Sequence, residues 1–267
     1  MNFCLKQPRM DIKTILAQIW AKIKQKFINF SDYLKSAFFI KNLGTPQLYK
    51  AFTLAEVLIT IGVIGVVASL TIPTLINNYQ KPQMVTQLKK VYTTLSQAKK
   101  IAEIDNGSSE NWEFEIPSNG GNEKFVNKYL APYIRIIKDC GTTTTGECAF
   151  STNEGALSDK FYRFYLEDGT LIALIVWVGA DYGYATLRID INGKQKPNTY
   201  GKDIFKFIFW GYDNSRSTAS LIKGKLLPEY FDRPEEINVS CAVGGNRYAC
   251  AAKIMFDGWQ IKDDYPW

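Results

Sequence analysis

The chain has 267 residues, 46% of them hydrophobic and 22% charged, a balance that suits a folded protein, and it contains no histidine. Without imidazole, Ser-His-Asp and Cys-His nucleophiles and His-ligated zinc are all excluded. The net charge of +6 is local: nine of the 32 Lys and Arg but only two of the 26 Asp and Glu fall in residues 1–51, leaving 23 basic and 24 acidic residues in 52–267. That remainder has no basic surplus for phosphates, so no nucleic-acid partner is expected.

Three parts follow one another: a basic leader (1–51), a helical segment (52–106) and a long C-terminal part (107–267). In the leader, "DIKTILAQIWAKIKQKFINF" (11–30) places Ile12, Ile15, Leu16, Ile19, Trp20, Ile23 and Phe27 at three- and four-residue spacing among lysines. This predicts a basic amphipathic helix for an anionic membrane surface; a poorly ordered leader, or a start codon assigned upstream of the true one, is the alternative. Val57 to Ile76 then runs for twenty residues without a charge. As a helix it rises about 30 Å, enough to cross a bilayer core once, and the basic flank before it places the N-terminus in the cytoplasm and the rest outside. Gly62 and Gly65 permit close helix approach, and Pro73 interrupts the hydrogen-bond ladder.

Beyond the span, Val85, Leu88, Val91, Tyr92, Leu95, Ala98 and Ala102 form a helical stripe, and Asn106-Gly107 is a stop signal. Phe52 to Asp105 is therefore expected as one helix, about 80 Å long if continuous. After Gly107 the pattern changes to strands. "DKFYRFYLEDGTLIALIVWV" predicts a hairpin with Asp168-Gly169 in its turn, and 185–193 and 202–210 are further strands joined by "NGKQKPNTYG". Residues 107–160 and 211–240 are expected as loops with short elements. The fold class is thus α+β: a long N-terminal helix, half membrane and half amphipathic, packed by its stripe on an antiparallel sheet.

Candidate chemistry is sparse. Cys140 with Cys148 and Cys241 with Cys250 lack C-x-x-C spacing and suit two local disulfides in an oxidising compartment, the first worth roughly 2–3 kcal/mol; free buried thiols are the alternative. Asp190, Asn192, Asn198 and Asp203 could supply oxygen ligands to Ca²⁺ in a loop closed by Gly193 and Gly201, although Asn-Gly and Pro-Asn are equally turn formers. No other cofactor is called for. Glu167-Asp168 with Asp181 is better explained by a turn than by paired catalytic carboxylates, and Trp177, Tyr182, Tyr184 and Trp210 are expected as sheet core rather than a ligand platform. No constellation supports an enzyme.

The junction of leader and span carries the strongest motif: Lys50-Ala51, Phe52-Thr53-Leu54-Ala55-Glu56, then the apolar run. It resembles the processing signal of type IV prepilins and of the pseudopilins of type II secretion. The resemblance implies a pilin-like fold and cleavage between Ala51 and Phe52 by a membrane-embedded prepilin peptidase. It also implies methylation of the new N-terminal Phe52. Glu56 would become the fifth mature residue and pair with the N-terminus of a neighbouring subunit; Pro73 falls where family helices can locally melt in a filament. The partners implied are the peptidase, other pilin-like subunits and an inner-membrane assembly platform. Residue 51 is Ala where Gly is commoner, which slows processing, and the leader is unusually long. "DINGKQKPNTYGKDIF" and "CAAKIMFDGWQI" are similar to stretches in pseudopilin-like proteins of some gut bacteria. Three alternatives compete: a signal-peptidase site after Val66-Val67-Ala68 that frees a secreted domain from Ser69, an uncleaved signal anchor, and a membrane-anchored or secreted binding module such as a minor tip pilin in adhesion or DNA uptake.

Overall fold

The computed structural model describes residues 53–267 apart from Ser217. The leader with its expected helix at 11–30, Ala51 and Phe52 lie outside the described residues. Helix α1 (Leu54–Asn106) opens the described chain and contains both Pro73 and Pro82. It is long and apolar enough to cross a membrane, and the apolar window that qualifies it has none of its residues buried. It stops where Gly107 takes a φ of +79°, a conformation glycine adopts without a Cβ penalty.

The chain divides into two compact units at Ser69/Leu70. In the first, Leu58, Ile59, Val63, Ile64 and Val66 are exposed along α1. In the second, the expected stripe is core: Val85, Leu88, Val91, Leu95, Ala98 and Ala102 are buried, and Tyr92 packs at their edge.

The second unit is built on a six-stranded antiparallel sheet, ordered β1-β4-β5-β6-β7-β8. Its strands are β1 (Ile136–Gly141), β4 (Tyr162–Leu166), β5 (Leu171–Val178), β6 (Tyr182–Asp190), β7 (Ile204–Asp213) and β8 (Leu226–Pro228). A two-residue pair, β2 (Ser151–Thr152) and β3 (Gly155–Ala156), stands apart. Alternation assigns the faces. Ile172, Leu174 and Val176, Ala185, Leu187 and Ile189, and Phe205, Phe207 and Phe209 join the α1 stripe in one cluster, with the Tyr92 and Phe207 rings 5.8 Å apart. The opposite face carries two smaller clusters, one around Leu171, Ala173, Ile175 and Tyr200, the other around Ile208, Trp210 and Leu227. Burial on both faces explains why β5 reads as a continuous apolar run.

Helix α2 (Gly121–Tyr129) is pinned by Asn122, whose amide donates to the Lys160 carbonyl at 2.7 Å and accepts the Val176 N–H at 2.8 Å. Three short helices complete the unit: α3 (Ala219–Ile222), α4 (Pro234–Ser240) and α5 (Cys250–Phe256). Both expected disulfides are formed, Cys140–Cys148 and Cys241–Cys250, with Cα atoms 5.6 and 4.9 Å apart.

The 162–178 hairpin turns as expected, with Gly169 at φ +85°. The next two strands are displaced from expectation: β6 starts three residues earlier and ends at Asp190, and β7 starts two residues later and runs on to Asp213. Asp190, Asn192 and Gly193 belong to a hydrogen-bonded turn that ends the ladder. Residues 107–160 and 211–240, expected as loops with short elements, contribute both edge strands, which the sequence did not mark as strands. β1 carries Lys138 and Asp139 and two register irregularities against β4, so no two-residue alternation marks it. β8 has three residues, too few for a period.

Candidate functional site

At the N-terminal signature, Thr53 and Glu56 bond reciprocally. The Thr53 N–H and hydroxyl donate to Glu56 Oε2 at 2.8 and 3.0 Å, and the Glu56 N–H donates to Thr53 Oγ1 at 3.2 Å. This is a capping box, in which Ser or Thr at the N-cap and Glu or Gln three residues on satisfy two otherwise orphaned N–H groups. Glu56 thus has a local partner within its own chain. Thr53 was not singled out from the sequence, although the T-x-x-E spacing carries the signal. Ala51 and Phe52, the residues on either side of the expected cut, lie outside the described residues. Pro73 withholds a donor from the carbonyl of Ser69, while the Ser69 hydroxyl donates to the Val66 carbonyl at 2.8 Å.

The loop between β6 and β7 brings together all four candidate calcium ligands. Asp190 and Asp203 are buried at its ends. Asp203 accepts the N–H groups of Asn198 and Thr199 at 2.7 and 2.6 Å and the Asn192 amide at 3.3 Å; Asp190 accepts the Asn192 N–H at 3.2 Å. Asn198 sits at φ +51°, a left-handed position that Asn tolerates. The side-chain oxygens of Asn192 and Asn198 are buried without a hydrogen-bond partner. Burial, and secondarily the charge of Asp203, push the Asp190 carboxyl up to about 8; burial also raises Asp203 against the donors around it.

Two buried carboxylates and two orphaned amide oxygens fit a hard cation, which takes six to eight oxygens and would offset the mutual repulsion. Among the described residues no group of three or more His, Cys, Asp or Glu side chains could hold a metal, so this loop would rely on amide, backbone and water oxygens. Calcium is therefore a proposal with a direct test. The thermal midpoint of the chain is expected to rise by several degrees at saturating Ca²⁺, since a ligand at a hundred times its Kd adds about 2.7 kcal/mol, and Asp203→Asn is expected to abolish the rise. In chelator the sign is set by Asp190: its folded value lies above its unfolded value near 4, so stability is expected to fall as pH rises from about 4 to about 8. A flat profile in chelator would show that burial does not raise Asp190, and equal midpoints with and without Ca²⁺ would remove the cation from this loop.

The profile of a family of unknown function (DUF6613) matches residues 74–267. The chain belongs to that family. The DUF6613 match takes in the second half of α1, the whole sheet, both disulfides and the Asp190–Asp203 loop. The signature at Ala51–Glu56 lies before it. No curated protein and no solved structure matches the chain.

Proposed function

We propose that this chain is a structural subunit of a type IV pilus-like filament, most consistent with a pseudopilin of a type II secretion system. The observation that carries the reading is one continuous pattern: Lys50-Ala51, Phe52-Thr53-Leu54-Ala55-Glu56, then an apolar helix whose side chains are exposed in the first unit. An apolar surface of that length needs lipid or other helices to cover it. In the proposed sequence of events, the prepilin peptidase removes 1–51 on the cytoplasmic side and Phe52 is methylated. The helix then holds the subunit in the cytoplasmic membrane, with the sheet domain outside. Polymerisation through the assembly platform exchanges lipid contacts for helix contacts, and the small Gly62 and Gly65 would let neighbouring helices approach closely.

Two further observations support this reading. The disulfides suit an extracytoplasmic domain, because such bonds persist in oxidising compartments. Within the second unit, the α1 stripe from Val85 to Ala102 serves as a core wall of the sheet, the arrangement expected of a pilin-like domain.

The deciding experiment is intact-mass and N-terminal analysis of the protein from membranes of cells with and without a prepilin peptidase. A peptidase-dependent chain beginning at Phe52, with or without an added methyl, is expected. A chain beginning at Ser69, or an uncut chain in both strains, would discard the proposal.

A further inference from the structure

The sheet face turned away from α1 carries an arrangement that a filament subunit does not need. Its side chains form three cross-strand rows. Trp177, Tyr184 and Trp210 are paired across β5, β6 and β7; two residues along, Ile175, Thr186 and Ile208 are paired; two further along, Ala173, Arg188 and Lys206. Aromatic rings thus stand at one end and cations at the other, about 13 Å apart along β6 at the rise of an antiparallel strand. Between them lies an open cavity of about 210 Å³ lined from all three rows.

The charges inside the cavity are not equivalent. Lys206 is buried and already paired with Glu229 at 2.6 Å. Arg216, which covers Trp210 at 4.9 Å, is held by Asp213 and Asp232. Arg188 differs: its Nε donates to the Tyr200 hydroxyl at 2.9 Å and its Cζ lies 4.4 Å from the centre of the Phe161 ring, but among the described residues it has no carboxylate partner. It is partly exposed, braced at a fixed angle and short of one negative charge, and guanidinium answers a carboxylate with a planar pair of donors. At the other end Trp177 is 46% exposed, an unusual state for a tryptophan flanked by core strands.

We infer that this cleft binds an acidic polysaccharide, stacking a sugar ring on Trp177 and Tyr184 and pairing a uronic-acid carboxylate with Arg188. Four features favour that class. The cavity is below the ~300–1,000 Å³ of enclosed small-molecule sites and open on the sheet face, so it suits one or two rings of a longer chain lying across it. The separation of rings and guanidinium exceeds one sugar unit. β6, the middle strand beneath the cavity, is paired along its length with both β5 and β7, so an extended peptide would find no amide partners on it. One unpaired guanidinium also answers one negative charge, the charge per unit of a polyuronate.

This inference does not rest on the filament proposal, since the cleft lies wholly within the second unit. The test is titration of the full-length chain in detergent with trigalacturonate, with neutral trigalactose and hexaglutamate as comparators, read by tryptophan fluorescence and calorimetry. Saturable trigalacturonate binding at least tenfold tighter than either comparator is expected. Trp177→Ala and Arg188→Met should each weaken it tenfold or more at unchanged thermal midpoint, and Arg188→Lys should weaken it less than Arg188→Met. If Arg188→Met lowers the midpoint through its Tyr200 and Phe161 contacts, Trp177→Ala, on an exposed ring, still decides. No saturable binding, equal binding of trigalactose, tighter binding of hexaglutamate, or full affinity in Trp177→Ala would each overturn the inference.

Discussion

Glu56→Gln is expected to insert in the membrane and to be processed at Phe52, yet to assemble into filaments at least tenfold less than the unaltered chain. The substitution separates two roles that the residue could hold. Glutamine at the third helical position can still complete the capping box with Thr53, so the local bonds at 2.8 and 3.2 Å keep a competent partner. What it removes is the charge. In the proposed filament that charge faces the Phe52 ammonium of a neighbouring subunit at the bilayer edge, where an unpaired ion is costly and a matched pair sets register more than net stability. Thr53→Ala is the complementary change: it loses the cap, worth about 1 kcal/mol, and keeps the carboxylate. Assembly is therefore expected to survive Thr53→Ala better than Glu56→Gln, measured as sheared filament yield per unit of processed subunit. The reverse ranking would reduce Glu56 to a helix cap and leave the filament reading without its central contact.

Arg163→Met is expected to destabilise the sheet domain by roughly 3 kcal/mol, lowering the thermal midpoint by about 6–12 °C. Arg163 lies on β4 with no exposed surface and no carboxylate partner among the described residues. Its guanidinium instead donates to four carbonyls: Phe161 and Thr142 at 2.7 and 3.4 Å, Leu157 and Ser158 at 2.8 and 2.5 Å. Burial pulls its pKa down, with Asp159 the partial counterweight. Those carbonyls belong to the 140–161 segment, which holds the Cys140–Cys148 bridge and has little regular structure. One buried cation therefore supplies donors that a ladder would otherwise provide. Methionine fills the volume but leaves the buried carbonyls unsatisfied, the costly half of a broken hydrogen bond. Arg135→Ala is the contrast: that arginine is 77% exposed beside Glu167, and its loss should stay within about 0.5 kcal/mol. A change of that small size for Arg163→Met would show that the segment holds itself.

The residues that determine their own structure locally were legible in the chain. A twenty-residue chargeless run, a stripe at helical spacing and Asn106-Gly107 each specify helix or its end without reference to anything distant. The Asp168-Gly169 turn does the same for the hairpin, because only its own backbone must reach a positive φ. Both cysteine pairs are local too, eight and nine residues apart. The chain by itself thus determined an α+β fold with a membrane-length helix and the four oxygen-bearing residues of one loop.

Tertiary structure decided the remainder. The edge strands β1 and β8 exist because β4 and β7 offer unpaired ladders, and their own sequences carry no alternation to announce it. Arg163 reads as an ordinary strand arginine until carbonyls from residues 142 to 161 converge on it. The row of Trp177, Tyr184 and Trp210 was expected as core because aromatic residues in strands usually are; register placed Trp210 beneath Arg216 and left Trp177 in solvent. Arg188 gained its unanswered charge in the same way, since whether a cation is paired depends on which acids the fold brings near it. Spacing along a chain constrains dihedrals and faces, whereas exposure and pairing are properties of what arrives from elsewhere.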